Sequence, residues 1–436
     1  MRVSHKVALN TFVQVLGKVV SAGITLVITV FIARAYGVVG YGDFTKVTTY
    51  IALFYLVADF GFNAVVLKYI TLKPKEENFY FQNLLALRFL FALLLTVAAV
   101  LLAVVLPYNP VSRLGFTPLV KVGIFILSFS ILTQAVFTTI NLIFQRELRY
   151  DKSVVASIVG SVVNLLVLVL LIYYHVPLLL ALLSFVIGSA FMAGLGLYLV
   201  GVFKRLRFET TIDFYLWKKI FKETWPLGIT LVFNLIYFRA DTFILTYFRS
   251  TQEVGIYGLA YKFFEFPLTI PVFFMNGVYP ILLKELRSRN NELRIIKKSF
   301  IFLLFSSLVF ILASLLVSPL LAWIKTDFAY AIIPFRILSL SLPLFFLSPL
   351  FMWVLIAHGK LKLLSIFYGF SMVVNIVLNL IFIPGYGYMA AAVITGVSEF
   401  MVLLATGAAS YKILTKIRIP KSEYRNKDKR PKLKHY

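Results

Sequence analysis

Twelve apolar stretches follow one another along the chain, and each is long enough to cross a lipid bilayer. A membrane-spanning helix needs about 20 predominantly apolar residues. The stretches fall near residues 8–33, 43–67, 83–106, 118–144, 153–174, 177–203, 224–248, 254–283, 299–323, 330–357, 361–383 and 387–414. The pattern predicts an all-α polytopic membrane protein with about 12 transmembrane helices, whose first stretch is a retained helix and not a signal peptide.

Composition supports this class and excludes several kinds of chemistry. Hydrophobic residues make up 61% of the 436 residues and charged residues 14%, whereas soluble domains carry about 25% charged residues. There is no cysteine, so disulfides and thiolate metal ligands are excluded. The histidines are far apart in sequence, which disfavours a zinc site, and no P-loop sequence marks a built-in ATPase. We therefore expect no cofactor, no metal and no enzyme activity.

The placement of the basic residues predicts how the chain is oriented. Cytoplasmic loops of membrane proteins carry an excess of lysine and arginine. With the N-terminus inside, the inside segments hold most of the 43 basic residues, and the outside ends and loops hold Arg34, Lys46, Arg113, Lys121, Arg249 and Lys325. This predicts a multi-pass protein of the cell (cytoplasmic) membrane with both termini cytoplasmic. It also accounts for the net charge of +25 without a nucleic-acid partner.

A short motif occurs twice, about half the chain apart. The stretch VGYGDFTK and the stretch VGIYGLAYK both contain Tyr-Gly-x-x-x-Lys, at Tyr41 to Lys46 and at Tyr257 to Lys262. Transporters built from such repeats place their substrate between the two halves. The repeat predicts an N-terminal six-helix bundle at 1–203, a cytoplasmic amphipathic linker at 204–222, a C-terminal six-helix bundle at 223–415 and a basic cytoplasmic tail at 416–436.

Ionisable residues occur within the apolar stretches, where a charge at the helix centre costs at least about 2.5–3.5 kcal/mol. Such residues face the bundle interior or a water-filled path. Cavity candidates for substrate binding are Lys18, Arg34, Arg88, Arg239, Lys262 and Arg336; candidates for coupling or ion pairing are Asp59, Asp241, Glu265 and Glu399. Two interpretations stay open: the charges line a substrate path, or they are buried ion pairs that hold helices together.

Polar residues form a stripe on one face of the first span. Asn10, Gln14, Lys18, Ser21 and Thr25 recur at helical spacing, and Thr230, Asn234, Tyr237 and Asp241 form the equivalent stripe in the seventh span. A cleft between two bundles requires such a face on both helices.

The seventh and eighth spans together carry four charges that can neutralise one another. Arg239 and Asp241 are about 200° apart around their helix and cannot pair well with each other. The eighth span offers Lys262 and Glu265, three residues apart on one helix face. We expect Asp241 to pair with Lys262 and Arg239 with Glu265.

Several stretches resemble the polysaccharide flippases of the multidrug/oligosaccharidyl-lipid/polysaccharide exporter superfamily. The similar segments are IARAYGVVGYGDF with DFGFN, YFRADTFIL with EVGIYGLAYKFFEF, and VNIVLNLIFIPGYGYMAAA. The resemblance implies a V-shaped pair of six-helix bundles that translocates lipid-linked oligosaccharide, as in O-antigen and teichoic-acid export. It also implies that cationic cavity residues meet the sugar-phosphate head group, and it assigns Arg34, Arg239, Asp241 and Lys262 to the matching positions.

The function predicted is thus a flippase for polyprenyl-phosphate- or diphosphate-linked sugars, working by alternating access in surface polysaccharide biosynthesis. Expected partners are lipid-linked oligosaccharide, membrane lipids and enzymes of polysaccharide biosynthesis, with H+ or Na+ left open as driving ion. The alternative is a cation-coupled multidrug or small-molecule exporter of the same superfamily, which the cationic residues disfavour. A membrane glycosyltransferase or polymerase would need a larger external loop than the longest one here, PYNPVSRLGFTP. A membrane scaffold without transport activity is the fourth possibility.

Overall fold

The computed structural model describes residues 3–112, 114–204, 212–286 and 288–416. Within these ranges the side chains at 3–12, 15, 203–204, 226–227, 230–232 and 234–235 are not described. The basic tail predicted at 416–436 therefore lies almost wholly outside the described residues.

The described chain is built from helices and one small β-hairpin. The N-terminal half contains α1 (Val3–Asp59), α2 (Phe62–Leu72), α3 (Glu77–Val105), β1 (Tyr108–Asn109), β2 (Leu114–Gly115), α4 (Pro118–Arg146), α5 (Tyr150–Tyr173), α6 (Leu178–Ala181) and α7 (Leu183–Lys204). The C-terminal half contains α8 (Phe214–Phe248), α9 (Thr251–Glu265), α10 (Thr269–Glu285), α11 (Arg289–Val317), α12 (Leu321–Ile324), α13 (Ile332–Leu340), α14 (Leu342–Ala357) and α15 (Leu361–Lys416). Short 3-10 turns at Pro74–Glu76, Ser318–Leu320 and Thr326–Ala331 complete the helical elements.

The number of membrane passes agrees with the sequence prediction. The described residues hold nine helical segments that are long and apolar enough to span a membrane. Two of them, Leu16–Leu72 and Leu361–Thr415, are 57 and 55 residues long and bend at Gly37 and Gly387, so each supplies two passes. α8, in which several side chains are not described, is not among these nine, but its 35 residues extend about 50 Å and supply the remaining pass. The predicted all-α membrane fold with about 12 transmembrane helices is confirmed.

The DFGFN motif interrupts the second predicted span. α1 ends at Asp59, Phe60 and Gly61 have positive φ angles of 43° and 74°, and α2 begins at Phe62. Arg88 of α3 lies against this break and donates to the Asp59 carbonyl at 3.2 Å and to Asn63 Oδ1 at 2.8 Å. A helix end leaves carbonyl groups without helical partners, so the buried guanidinium satisfies a backbone group that the break exposes.

The two copies of the repeated motif meet where the bundles touch. Gly42 of α1 lies so close to α9 that a Cβ atom there would be 2.0 Å from the Thr251 carbonyl oxygen, and one at Gly258 would be 2.5 Å from Thr45 Oγ1. Neither position accommodates a side chain, which explains why both motif copies contain glycine. The crossing is near the Gly37 and Gly387 bends, and we call this end of the molecule the Gly37 end.

At the opposite end, the beginning of α8 packs on the N-terminal bundle. Leu216, Trp217 and Ile220 join Phe62 and Val66 of α2 in one buried apolar cluster. Polar contacts support this packing: Asp213 caps α8, its N–H donates to Asn83 Oδ1 at 2.8 Å, and the Tyr69 hydroxyl donates to Glu223. The second half of the predicted linker at 204–222 is therefore the first turns of the helix that continues through the seventh span.

Candidate substrate path between the two bundles

A cavity of about 260 Å³, lined by both hydroxyl-bearing and apolar side chains, lies between the bundles. Its walls come from α1, α4 and α7 of one half and from α8 and α9 of the other; they include Thr25, Ile28, Thr29, Tyr41, Phe44, Thr45, Thr48, Thr49, Ala52, Tyr55, Leu127, Phe185, Arg239, Thr242, Gly258, Tyr261 and Lys262. We call it the central cavity. Thr25 is 12 residues from Gly37, about 18 Å along the helix, so the cavity lies near the middle of the first pass.

Threonine hydroxyls dominate the polar part of this wall. The hydroxyls of Thr25, Thr45 and Thr48 donate to the carbonyls of Ser21, Tyr41 and Phe44 at 2.8–2.9 Å. Since each hydroxyl hydrogen is used by its own helix, the oxygen lone pairs are the groups directed to a ligand. The wall is therefore suited to accept hydrogen bonds from hydroxyl groups.

Two cations face this cavity and share one carboxylate. Arg239 Nη2 lies 3.0 Å from Glu265 Oε1, and Lys262 Nζ lies 3.1 Å from Glu265 Oε2. The guanidinium of Arg239 also packs over the Tyr261 ring, 5.4 Å from its centroid. Both cations line the cavity, whereas Glu265 is not among the lining residues. The cluster therefore presents net positive charge to a ligand.

Arg239 also borders a second, apolar space. A cleft of about 250 Å³ between α1, α8 and α15 is lined by Leu53, Ile236, Arg239, Ala240, Phe243, Ile244 and Ile376. We call it the lateral cleft. Among the described lining residues, only Arg239 is shared with the central cavity. It thus stands where a polar chamber meets an aliphatic one.

Of the two ion pairs expected from the sequence, Arg239 with Glu265 is present and Asp241 with Lys262 is replaced by other contacts. Asp241 is buried, its Oδ2 accepts from the Tyr257 hydroxyl, and its Oδ1 accepts from the Thr242 N–H at 2.6 Å. The rotation of α8 directs Asp241 into the C-terminal bundle, where Tyr257 and Thr395 surround it. Lys262 bonds to Glu265 on its own helix instead.

Glu399 is a second carboxylate inside the C-terminal bundle. Its Oε2 accepts a 3.0 Å hydrogen bond from the Tyr237 hydroxyl, and both side chains are buried. Two predicted residues from different helices therefore meet, but neither is among the residues that line the central cavity.

A third cavity, of about 190 Å³, lies beside the first half of α1. It is lined by Gln14, Gly17, Lys18, Ser21, Phe137, Asn141, Gln145, Tyr150, Ser153, Val154, Ser157 and Phe273. All of these except Phe273, on α10, belong to α1, α4 and α5. We call it the amide cavity because Gln14, Asn141 and Gln145 contribute its carboxamides.

The polar stripe predicted on the first span faces these two polar cavities in turn. Gln14, Lys18 and Ser21 line the amide cavity and Thr25 lines the central one. Ser21 and Thr25 are one turn apart on α1, where the Thr25 hydroxyl donates to the Ser21 carbonyl at 2.9 Å, so the two cavities border consecutive turns of this helix. Asn10, Thr230 and Asn234, the other predicted stripe residues, lie outside the described side chains.

Three predicted cavity cations lie elsewhere in this structure. Arg88 is fully buried inside the N-terminal bundle, where it contacts Asp59 and Thr139; the helix break described above explains its position. Arg336 is exposed and donates to Ser318 Oγ at 2.8 Å. Arg34 is exposed on α1 close to the Gly37 bend. None of the three is among the lining residues of the cavities described here.

Lys46 is a residue whose position the sequence did not reveal. From its sequence position it is expected among the residues of the outside ends and loops. In the structure it is 1% exposed and donates to the Gly115 carbonyl at 2.9 Å and to Thr251 Oγ1 at 2.7 Å. It therefore joins the β-hairpin of one bundle to the first turn of α9 in the other. The sequence signal that could have indicated its importance is its position in the Tyr-Gly-x-x-x-Lys repeat, which is equivalent to that of Lys262.

A comparison with known protein families shows to which family the chain belongs. The model of the polysaccharide biosynthesis protein family matches residues 7–286, which is more than half of the chain. The chain belongs to the polysaccharide biosynthesis protein family. The MatE family model matches residues 226–381 of this family member. The membership predicted from the sequence motifs is confirmed, and the protein is a multi-pass membrane transporter or flippase of the exporter superfamily named above.

Solved structures share its fold at low sequence identity. The lipid II flippase MurJ in an inward closed conformation superposes with a TM-score of 0.73 at 16% identity, covering 93% of this chain and 87% of that one. An inward-facing multidrug resistance MATE family transporter gives a TM-score of 0.72 at 13% identity, covering 93% and 96%. An outward-facing multidrug resistance MATE family transporter gives 0.64 at 14% identity, covering 94% and 95%. No curated protein matches the chain.

Proposed function

We propose that the protein is a flippase that moves polyprenyl-phosphate- or diphosphate-linked oligosaccharide across the cytoplasmic membrane for surface polysaccharide biosynthesis. The observation that carries this proposal is the position of Arg239 between the hydroxyl-lined central cavity and the aliphatic lateral cleft. A lipid-linked sugar has the same division: a polar head, an anionic phosphate and an apolar tail. The phosphate would lie at Arg239, with the head in the cavity and the tail in the cleft.

The charges at this junction suit an anionic head group. Phosphate cannot enter hydrocarbon without a large desolvation cost, and charge-assisted hydrogen bonds from arginine and lysine offset that cost. Arg239 and Lys262 share the single carboxylate of Glu265, so one positive charge remains for the substrate. Lys18, in the adjoining amide cavity, adds a further cation along α1.

Alternating access requires one end to close while the other admits substrate. The glycine crossing of α1 and α9 together with the Lys46 bridge holds the bundles together at the Gly37 end. The distribution of basic residues along the sequence supports an external Gly37 end with both termini cytoplasmic. This arrangement favours a state that is sealed outside and loads from the cytoplasmic leaflet. Rocking of one bundle against the other would then release the head group outside.

Cation-coupled export of small molecules is the second candidate. The MatE match at 226–381 and the buried carboxylates Asp241 and Glu399 favour it, and these carboxylates are the groups that H+ or Na+ would engage. The cavity itself argues the other way. Its described lining contains Arg239 and Lys262 and no carboxylate, so it would repel a lipophilic cation. Ion coupling in the C-terminal bundle is compatible with either substrate.

The test is transport by the purified full-length protein in liposomes. The probe is undecaprenyl diphosphate carrying a nitrobenzoxadiazole-labelled saccharide in both leaflets, and external dithionite quenches only the outer label. We expect quenching to proceed from about half to nearly all of the label with wild-type protein, and to slow at least tenfold with Arg239→Gln. Arg336→Gln, an arginine outside the cavities, is the matched control.

Two results would oppose the proposal. Quenching that stops at half, as in protein-free liposomes, would show that the probe is not moved. Uptake of tetraphenylphosphonium driven by an ion gradient, without movement of the lipid probe, would favour the exporter.

A further inference from the structure

We propose that the amide cavity is a saccharide-recognition subsite that holds one sugar ring of the substrate next to the phosphate. This inference rests on the proposed flippase function and deepens it, because it names the residues that distinguish a sugar-bearing lipid from a bare polyprenyl diphosphate. The residues that recognise the ring are Gln14, Asn141 and Gln145, with Ser153 and Tyr150 beside them.

The side chains that line the amide cavity are suited to a neutral ligand with many hydroxyl groups. Each carboxamide offers two donors and an acceptor, and each hydroxyl offers one donor and two lone pairs, which matches the paired donor and acceptor character of sugar hydroxyls. Among the described lining residues Lys18 is the only charged one, and no carboxylate faces the space. An inorganic anion would need more cations, and a lipophilic cation would be repelled by Lys18 with no carboxylate in the described lining to offset it.

One hydrogen bond already orients this surface. Ser153 Oγ lies 2.6 Å from Asn141 Oδ1, and with the serine as donor the Asn141 carbonyl is occupied. Its NH2 group is then the part available to a ligand. Phe137 of α4 and Phe273 of α10 add aromatic surface to the lining, and sugar rings pack their C–H faces on such surfaces.

The size and position of the cavity agree with a single ring beside the phosphate. Its volume of about 190 Å³ is below the ~300–1,000 Å³ of pockets for drug-sized ligands. Ser21 of this cavity and Thr25 of the central cavity lie one turn apart on α1, so a sugar in the amide cavity stays within reach of the cations. The position also makes the site sensitive to conformation, since Phe273 is its one described wall residue from the C-terminal bundle. Separation of the bundles removes that wall and weakens the hold on the ring.

Direct binding measurements test this subsite. Full-length protein in nanodiscs is titrated with two probes: undecaprenyl diphosphate, and undecaprenyl diphosphate linked to N-acetylglucosamine. We expect the wild type to bind the sugar-bearing probe at least tenfold more tightly. Gln14→Leu with Gln145→Leu should abolish that preference while leaving the affinity for the bare diphosphate within about twofold. A tenfold ratio corresponds to roughly 1.4 kcal/mol, which is the net strength of one or two ordinary hydrogen bonds.

Two controls separate folding and phosphate binding from sugar recognition. Gln252→Leu removes an exposed carboxamide at the start of α9 and should keep the full preference. Arg239→Gln should weaken both probes equally and keep their ratio. Ser153→Ala, a smaller change inside the cavity, should reduce the preference without changing the diphosphate affinity, and it covers the case in which the double variant does not fold.

The outcomes distinguish this inference from the proposed function. If wild-type protein binds both probes equally, or if the cavity variants keep the preference, the proposed saccharide subsite is wrong. The proposed flippase function is not affected by either result. Wild-type protein that binds neither probe would overturn the proposed function itself, and the subsite with it.

Discussion

Lys46 of the N-terminal bundle donates a 2.7 Å hydrogen bond to the hydroxyl of Thr251 at the start of the C-terminal bundle. The same ammonium group donates to the Gly115 carbonyl of the β-hairpin and is almost completely buried. A buried lysine without partners would be costly, so these contacts favour the state in which the Gly37 end is closed.

Replacing Lys46 by methionine should therefore open the Gly37 end more often. Loss of a hydrogen bond to a charged group costs about 1.5–3 kcal/mol, which corresponds to at least a tenfold change in the closed-to-open ratio. The chain has no cysteine, so Thr49→Cys can report access to the central cavity. We expect a water-soluble thiol reagent added at that end to label it about tenfold faster in the Lys46→Met background.

Lys121 provides the control for that experiment. It also donates to a backbone carbonyl, that of Val104 at 2.7 Å, but both residues belong to the N-terminal bundle and the contact is exposed. Lys121→Met should leave labelling unchanged. Equal labelling in the Lys46→Met and Lys121→Met backgrounds would show that the bridge does not hold the end closed.

The cations of the central cavity should contribute unequally to transport. Arg239→Gln removes the group that borders both the cavity and the lateral cleft, and flipping of a lipid-linked saccharide should fall at least tenfold. Lys262→Gln removes the same charge but leaves Arg239 between the cavity and the lateral cleft, so the loss should be several-fold smaller. Initial dithionite-quenching rates measure both. A larger defect in Lys262→Gln would place the phosphate at Lys262 and not at the junction.

Arg88 should stabilise the protein without contributing to substrate binding. Arg88→Leu removes the guanidinium contacts to the Asp59 carbonyl, the Asp59 carboxylate and Asn63 Oδ1. Leaving a buried polar group without its partner costs about 1–3 kcal/mol, so the thermal unfolding midpoint in detergent should fall by several degrees. A variant with unchanged thermal stability but impaired probe binding would indicate that Arg88 contributes to substrate binding and not to stability.

Asp213 should hold the beginning of α8 in place. Its carboxylate caps the helix through the N–H groups of Tyr215 and Leu216, and removal of such a cap costs about 0.5–2 kcal/mol. We expect Asp213→Ala to increase amide hydrogen exchange at residues 214–222 by about tenfold, while Asp213→Asn retains most of the protection. Unchanged exchange in Asp213→Ala would mean that the apolar packing of Trp217 and Ile220 alone orders this segment.

The helical architecture was predictable because the bilayer leaves little choice. A helical span must be mostly apolar and satisfies its own backbone hydrogen bonds, so hydropathy alone located the passes. The interruptions were not predictable in this way. Phe60 and Gly61 lie in an apolar stretch whose composition continues through the break, and only Arg88, in another helix, satisfies the exposed carbonyl.

Sequence spacing predicted which residues share a helix face and one of the two expected ion pairs, Arg239 with Glu265, but it did not predict the partners of Asp241. The spacing of Gln14, Lys18, Ser21 and Thr25 shows that they share a helix face, and that face does line both polar cavities. The partners of Asp241 depend on the orientation of α8 about its own axis, and sequence spacing within one helix does not define that orientation. The bridging role of Lys46 depends on contact between halves of the chain that are far apart in sequence.

The central claim is that a lipid-linked head group lies in the polar cavity while its tail leaves through the lateral cleft between α1 and α8. Photocrosslinking tests it most directly, with undecaprenyl diphosphate N-acetylglucosamine carrying a diazirine on the isoprenoid unit nearest the phosphate. We expect label on Leu53, Ile236 and Phe243, which line the cleft, and strong loss of that label in Arg239→Gln. Label spread over the outer surfaces of other helices, and insensitive to Arg239, would contradict the account.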